Sequence, residues 1–159
     1  MEITDLVMRL LISALVGGAI GFERELRSKS AGFITITLVC LGATIVALIQ
    51  EEMLAREVKL ILENSAMSQV LKFDTTRLSA QVISGVGFIG GGSIIYAKDK
   101  VHGITTAAIL WISACIGLAI GYGFIVLTIM SVLLVLIIMI LMKSFEKKVI
   151  YKLKKRMLK

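Results

Sequence analysis

The sequence has no proline, two cysteines and few charged residues. Only 18% of its 159 residues are charged, whereas a soluble domain carries about a quarter because its surface must be hydrated. The two cysteines exclude a disulfide-stabilised secreted scaffold, and 14 glycines without a three-residue period exclude collagen. Hydrophobic residues make up 57% of the chain and the mean hydropathy is +0.93, which excludes disorder and indicates a membrane protein.

The charged residues leave four gaps along the chain. Residues 10–22 carry no charge, 31–50 and 78–97 are uncharged for 20 residues each, and 103–142 is uncharged for 40. About 20 helical residues cross the hydrocarbon layer, so the longest gap corresponds to two helices separated by a turn at Gly121-Tyr122-Gly123. The sequence therefore predicts an all-α fold, a polytopic membrane helical bundle of about five transmembrane helices. The predicted spans are at about 4–22, 32–50, 78–97, 104–121 and 123–142.

Basic residues are distributed unevenly between the loops. Thirteen of the 18 Lys and Arg residues lie in 23–30, 98–102 and 143–159, and only four lie in 51–77. Positive loops stay in the cytoplasm, so the N-terminus is predicted to lie outside and the C-terminus inside. Residues 1–142 then form the transmembrane domain.

Residues 143–159 form the predicted basic cytoplasmic tail. The tail contains eight basic residues against the single acid Glu146. Each basic residue near an anionic membrane surface contributes about 1 kcal/mol, so we expect the tail to bind anionic lipid headgroups of the bilayer. Nucleic acid is not an expected partner, because the basic run is not interleaved with the several aromatic residues that stack on bases.

The connection after the second span is not structureless. Leu54, Val58 and Ile61 recur at helical spacing, which predicts that the second span continues as an amphipathic helix along the outer surface. Asp74 is the predicted N-cap residue of the third span.

Glycines are concentrated in the predicted helices. The segment from Gly85 to Gly90 matches the dinucleotide pattern G-x-G-x-x-G, but it lies inside an uncharged run that offers no acid to bind a ribose. Small residues allow membrane helices to approach closely, so we interpret these glycines as packing positions. Contacts within the chain and contacts in a homodimer would use them equally well. The predicted packing residues are Gly17, Gly21, Gly85, Gly87, Gly90, Gly91, Gly117 and Gly121.

Polar side chains within the spans predict a polar face on the third span. Arg77, Gln81 and Ser84 are spaced four and three apart, so they share one face of the third span. A polar residue in lipid costs free energy and usually faces a partner or a cavity. The stripe is therefore consistent both with hydrogen bonding between helices and with an internal polar site. The predicted site within the bundle consists of Arg77, Gln81, Ser84, Thr105, Thr106 and Trp111.

A charged cluster, Glu23-Arg24-Glu25, lies at the cytoplasmic end of the first span. The helix dipole disfavours carboxylates there, so something must offset their charge. Ion pairs of Glu23 with Arg27 and of Glu25 with Lys29 would be sufficient. The alternative is a cation, with Mg²⁺ as the candidate, held between Glu23 and Glu25. No catalytic constellation is present, and we do not expect an enzyme.

Three blocks, in order along the chain, closely resemble the MgtC/SapB family. They are Gly21-Phe22-Glu23-Arg24-Glu25 with Ala31-Gly32, then Asp74 and Arg77 followed by Gln81-Val82-Ile83-Ser84-Gly85-Val86-Gly87-Phe88-Ile89-Gly90, and finally Gly103-Ile104-Thr105-Thr106-Ala107-Ala108 with Trp111. The resemblance implies a bacterial inner-membrane protein linked to survival when magnesium is scarce, and to virulence in some members. The chain departs from the family at Ile34 and His102, where arginine is common.

Two functions are compatible with this resemblance. The first is support of magnesium homeostasis by binding and modulating other membrane proteins. The second is transport of Mg²⁺ or another cation. Mg²⁺ gives up its water reluctantly and is usually bound through carboxylates, which the predicted membrane interior lacks. A wide hydrated pore in an oligomer would not need them.

The predicted orientation can be tested with a topology reporter. A reporter that is active only in the periplasm, fused after Lys159, is expected to be inactive, because the basic tail should remain in the cytoplasm. The same reporter placed before Glu2 serves as the matched control and should be active. Periplasmic activity of the Lys159 fusion would contradict the five-span prediction.

Overall fold

The structure is a computed structural model that describes residues 2–64, 76–97 and 99–142. These ranges are predominantly helical, as predicted. The helices are α1 (Ile3–Leu26), α2 (Phe33–Glu63), α3 (Arg77–Gly92), α4 (Ile104–Gly121) and α5 (Ile125–Ile137). A π-helical segment, Ile138–Met142, continues α5. Between α3 and α4, strands β1 (Ile95–Ala97) and β2 (Lys100–His102) pair antiparallel, with Tyr96 opposite Val101.

Three of the helices, α1, α2 and α4, are long and apolar enough to cross a membrane. A shorter apolar helix covers Ile125–Leu141, and α3 has 16 residues. Length and composition therefore support a membrane protein. The number of spans and their orientation remain predictions.

The third helix is shorter than the predicted span 78–97. It ends at Gly92, and the last residues of the apolar run, Ile95–Ala97, form strand β1 instead. Three consecutive glycines weaken the helix at this end, and the hydroxyl of Ser93 donates to the carbonyl of Gly90 at 2.6 Å. Isoleucine and tyrosine then favour extended backbone. The uncharged run 78–97 therefore forms a helix and then a strand. The all-α prediction did not include the hairpin of β1 and β2.

Other predicted boundaries agree with the structure. The helical continuation after the second span is present, since α2 runs to Glu63. The 40-residue uncharged run is broken at the predicted turn, where Gly123 has φ of 74°, a backbone conformation that favours glycine. The predicted cap Asp74 and the basic tail 143–159 lie outside the described residues.

Helix α2 packs between α1 and α4, and glycines bring the backbones together. On α1, a Cβ atom added to Gly17 would lie 2.9 Å from Cβ of Cys40 on α2. On α4, a Cβ atom added to Gly121 would lie 2.7 Å from the carbonyl oxygen of Thr44. Gly21 and Gly117 also face α2, and a Cβ atom added to either would lie 2.8 Å or less from the α2 backbone. Each of these positions therefore has room only for hydrogen.

The glycines of α3 differ from one another. A Cβ atom on Gly90 would lie 3.3 Å from the carbonyl oxygen of Ala107 on α4, so this glycine faces a neighbouring helix. At Gly85, Gly87 and Gly91 no atom lies within 4 Å of an added Cβ. At these three predicted packing positions a Cβ atom would therefore meet no other described helix.

Hydrogen bonds between buried polar groups also hold α1, α2 and α4 together. The Thr44 hydroxyl on α2 donates to the Gly117 carbonyl on α4 at 2.8 Å, and Ser13 Oγ on α1 lies 2.8 Å from the same hydroxyl. All three helices thus meet at one fully buried threonine. At the opposite end from the α1–α2 loop, Arg9 donates to Glu51 at 2.6 Å and to the Gly121 carbonyl at 2.7 Å.

Alanine substitution distinguishes a packed glycine from an open one. We expect Gly117→Ala to lower the free energy of unfolding by about 1–3 kcal/mol, because its methyl group would collide with the backbone of Cys40. Gly42→Ala is the matched control, since nothing lies within 4 Å of a Cβ atom there. Unfolding in detergent measures both changes. Equal stability of the two variants would contradict the close approach of α4 and α2.

Candidate functional site

An open cavity of about 1060 Å³ lies where α1 ends and α4 begins. Its wall is formed by the end of α1, the α1–α2 loop, β2, the first turns of α4 and one side of α5. Under the predicted orientation this end faces the cytoplasm. We refer to this space as the inner cavity.

Charged and hydroxyl side chains line one part of the inner cavity. Its ionisable lining residues are Glu23, Arg24, Arg27, Lys29 and His102, and its hydroxyl groups come from Ser28, Ser30, Thr105, Thr106 and Ser131. At neutral pH the three basic side chains outnumber the single carboxylate, so this part of the wall is positively charged.

Arg24 is the most buried of these charges, with 4% of its surface exposed. It projects from the last turns of α1, and its Nη2 donates to Oγ1 of Thr106 on α4 at 2.6 Å. Its Nε donates to the carbonyl of Ala31 at 3.4 Å. Both acceptors are neutral. Arg24 therefore joins α1, the α1–α2 loop and α4 through neutral acceptors and forms no salt bridge among the described residues.

The two flanking glutamates have separate partners. Glu23 forms the predicted ion pair with Arg27. Glu25 instead accepts a hydrogen bond of 3.1 Å from the backbone N–H of Phe33, the first residue of α2. The expected pairing of Glu25 with Lys29 required α1 to continue, but α1 ends at Leu26. The carboxylate stabilises the start of α2 because free amides are exposed there.

A cation held between Glu23 and Glu25 therefore stays a prediction. Each carboxylate is engaged by a different group of the protein. Within residues 2–64, 76–97 and 99–142, no three His, Cys, Asp or Glu side chains lie together in a group that could hold a metal ion.

The start of α4 contributes backbone groups to the inner cavity. Gly103 precedes the helix with φ of 95°, and no side chain caps it. Thr106 in the first turn is buried, whereas Thr105 beside it is exposed. The first amides of an α-helix lack intrahelical acceptors, so this end carries a partial positive charge.

The structure divides the predicted polar site. Thr105 and Thr106 line the inner cavity. Arg77, Gln81 and Ser84 share one face of α3, as predicted, but that face is exposed while Val86 and Gly90 on the opposite face are buried. Trp111 is 44% exposed. The six residues therefore do not surround one internal site.

Some polar contacts were missed by sequence reasoning. Ser79 Oγ lies 2.6 Å from the hydroxyl of Tyr122 and 3.1 Å from Oε1 of Gln50, which joins α3 to α2 and to the end of α4. Counting charges cannot reveal neutral groups of this kind. The spacing of Cys40, Thr44 and Ala47 on one face of α2 was the available signal for the buried threonine.

Comparison with known proteins agrees with the resemblance seen in the sequence. The sequence profile of the MgtC family matches residues 10–148. A protein of Escherichia coli strain K12 named "Putative magnesium transporter YhiD" is 36% identical over 119 residues, which are 75% of this chain and 52% of that protein. "Protein SapB" of Bacillus subtilis strain 168 is 36% identical over 121 residues, 76% of this chain and 49% of the relative.

"Protein MgtC" of Brucella abortus strain 2308 is 38% identical over 113 residues, 70% of this chain and 40% of the relative. The chain thus spans about half the length of the curated relatives it matches. No solved structure matches it.

The Arg24–Thr106 contact can be tested with paired threonine variants. Thr106→Val keeps the shape but removes the acceptor of a buried guanidinium, so we expect the free energy of unfolding to fall by about 1.5–3 kcal/mol. Thr105→Val is the control, because its side chain is exposed. Unfolding in detergent compares the two. If Thr106→Val were as stable as Thr105→Val, the contact would not hold α1 to α4.

Proposed function

The chain belongs to the MgtC family, and from this premise we propose that it supports magnesium homeostasis in the bacterial inner membrane by binding and modulating other membrane proteins. We propose no catalytic role for it. One relative carries magnesium transport in its name, and the others are named MgtC and SapB. The bilayer and, at the basic tail, anionic lipid headgroups are further proposed partners.

The outward face of α3 is the observation that supports a protein partner. Gln81, Ser84 and Gly85 lie on this face and are exposed, and Phe88 beside them is 85% exposed. A glutamine amide and a serine hydroxyl facing hydrocarbon would each lack hydrogen-bond partners, which costs free energy. A neighbouring helix relieves that cost by supplying donors and acceptors.

Glycines make the same face suitable for a helix. Nothing lies within 4 Å of an added Cβ atom at Gly85 or Gly91, so another backbone can approach α3 closely there. Polar side chains next to glycines are the usual composition of helix contacts in membranes. The proposed partner is therefore a transmembrane helix that carries small and polar residues.

Cation transport is the alternative function. It needs carboxylates that are available to a cation, since Mg²⁺ is usually bound through them. In the structure Asp5 and Glu51 both contact the guanidinium of Arg9, and Glu23 contacts Arg27. Each of these three carboxylates is engaged by an arginine, with Asp5 and Glu51 sharing the one charge of Arg9, which favours the binding function over transport.

Substitutions on the outward face of α3 test the proposal. We expect Gly85→Leu and Gln81→Leu to fold normally but to lose support of growth at limiting magnesium, in a host strain that lacks its own MgtC-family protein. Gly85→Leu blocks close approach and Gln81→Leu removes the amide. Gly42→Leu on α2 is the matched control at an equally open glycine and should grow as the unchanged protein does.

Two further measurements identify outcomes that would overturn the proposal. Proteoliposomes that contain only this protein should take up no more Mg²⁺ than empty vesicles. Uptake that is abolished by Glu23→Gln or Glu25→Gln would establish transport instead. A cysteine variant, Ser84→Cys, should cross-link to a different protein in the membrane, and cross-linking only to a second copy of the chain would show that the face serves a homodimer.

A further inference from the structure

We propose that the inner cavity binds a phosphate group, carried either by a lipid or by a soluble phosphate compound. This site is separate from the outward face of α3 and goes beyond the proposed function. It lies at the other side of α4, among the end of α1, the α1–α2 loop and α5.

Arg24 is the first reason for an anion. Arg24 as a residue is 96% buried and its guanidinium carries a permanent charge, yet its hydrogen-bond acceptors are the neutral hydroxyl of Thr106 and carbonyl of Ala31. Taking a charge out of water is costly unless an opposite charge compensates it. Among the described residues Arg24 forms no salt bridge, and the nearby Glu23 carboxylate is already paired with Arg27, so an anion in the cavity would compensate the charge of Arg24.

The remaining charges of the cavity wall also favour binding of an anion. Arg27 is balanced by Glu23, whereas Lys29 adds a second positive charge that no described carboxylate pairs with. The wall therefore has an excess of two positive charges, from Arg24 and Lys29, before His102 is considered. An anion with up to two negative charges, such as a phosphate ester, matches that excess.

Hydrogen-bond donors reach the same space from several directions. The start of α4 lines the cavity with its uncapped first turn, and helix N-termini bind phosphate through their free amides. Hydroxyls of Ser28 and Thr105 also line it. Donors spread in this way suit the tetrahedral oxygens of phosphate better than the flat carboxylate group.

The rest of the lining is apolar. Ile109 and Ile112 of α4 face Leu134, Val135 and Ile138 across the cavity, from α5 and the residue that follows it. A volume of about 1060 Å³ is far larger than inorganic phosphate requires and lies at the upper end of ordinary ligand pockets. An apolar wall next to a basic one accommodates a phosphate with a hydrocarbon chain.

Binding to the purified full chain in a neutral detergent tests the proposal. The lipid probe is phosphatidic acid, and diacylglycerol with the same chains is its phosphate-free control. We expect native mass spectrometry to show retention of phosphatidic acid but not of diacylglycerol. Arg24→Gln should weaken that retention at least about tenfold, because it removes a charge-assisted hydrogen bond.

Two other variants control for misfolding and for general effects of charge. Lys29→Glu changes a side chain at the cavity without altering the buried Arg24 contact, and it should weaken binding similarly. Arg56→Gln is the control, since its side chain is 76% exposed and paired with Glu52 on α2, away from the cavity. The basic tail is present in every variant, so its attraction for anionic lipid cancels in the comparison.

Inorganic phosphate distinguishes the two sources. Displacement of phosphatidic acid by millimolar inorganic phosphate, with the same losses in Arg24→Gln and Lys29→Glu, would identify a soluble phosphate ligand. Retention of the lipid against phosphate would identify a phospholipid headgroup. The proposal is overturned if neither probe binds, or if both cavity variants bind as strongly as Arg56→Gln.

Discussion

Close contact of α2 with α1 and α4 is the constraint on which the rest of the structure depends. Lipid chains are as apolar as leucine, so helices in a bilayer associate through close packing and hydrogen bonds rather than through the hydrophobic effect. Glycines remove the side chains that would separate the backbones, and the buried hydroxyl of Thr44 bridges the helices where they meet. The hydrogen bond depends on the glycines, because it forms only at the short separation that they permit.

This contact also determines where the inner cavity lies. With α1 and α4 both held against α2, the last turns of α1 are brought beside the first turns of α4. The negative end of one helix dipole then meets the positive end of another, and Arg24 can reach Thr106. Because α5 packs less extensively on the bundle, space remains on that side. The cavity is therefore a consequence of the tight packing among α1, α2 and α4, which α5 joins less extensively.

The sequence predicted where the helices lie along the chain but not which face of each helix is buried. Uncharged runs located each helix because helix length and membrane thickness are linked, and the glycine turn divided the longest run correctly. The end of α3 was misplaced because an uncharged run is equally compatible with helix and with strand. A polar stripe reveals only that its residues share a face. Whether Gln81 and Ser84 face inward or outward depends on which opposite residues pack better. Here Val86 and Gly90 are buried, and Gly90 packs on α4.

The three sequence blocks that carry the family resemblance separate into two places in the fold. The first block supplies Arg24 and the third supplies Thr106, so residues far apart in the chain meet at one hydrogen bond beside the inner cavity. From Arg77 onward the middle block forms α3, whose polar and glycine face is directed away from that cavity. A single internal site would require all three blocks to converge. Their separation instead gives the chain two distinct surfaces, the inner cavity, which we propose for an anion, and the outward face of α3, which we propose for another helix.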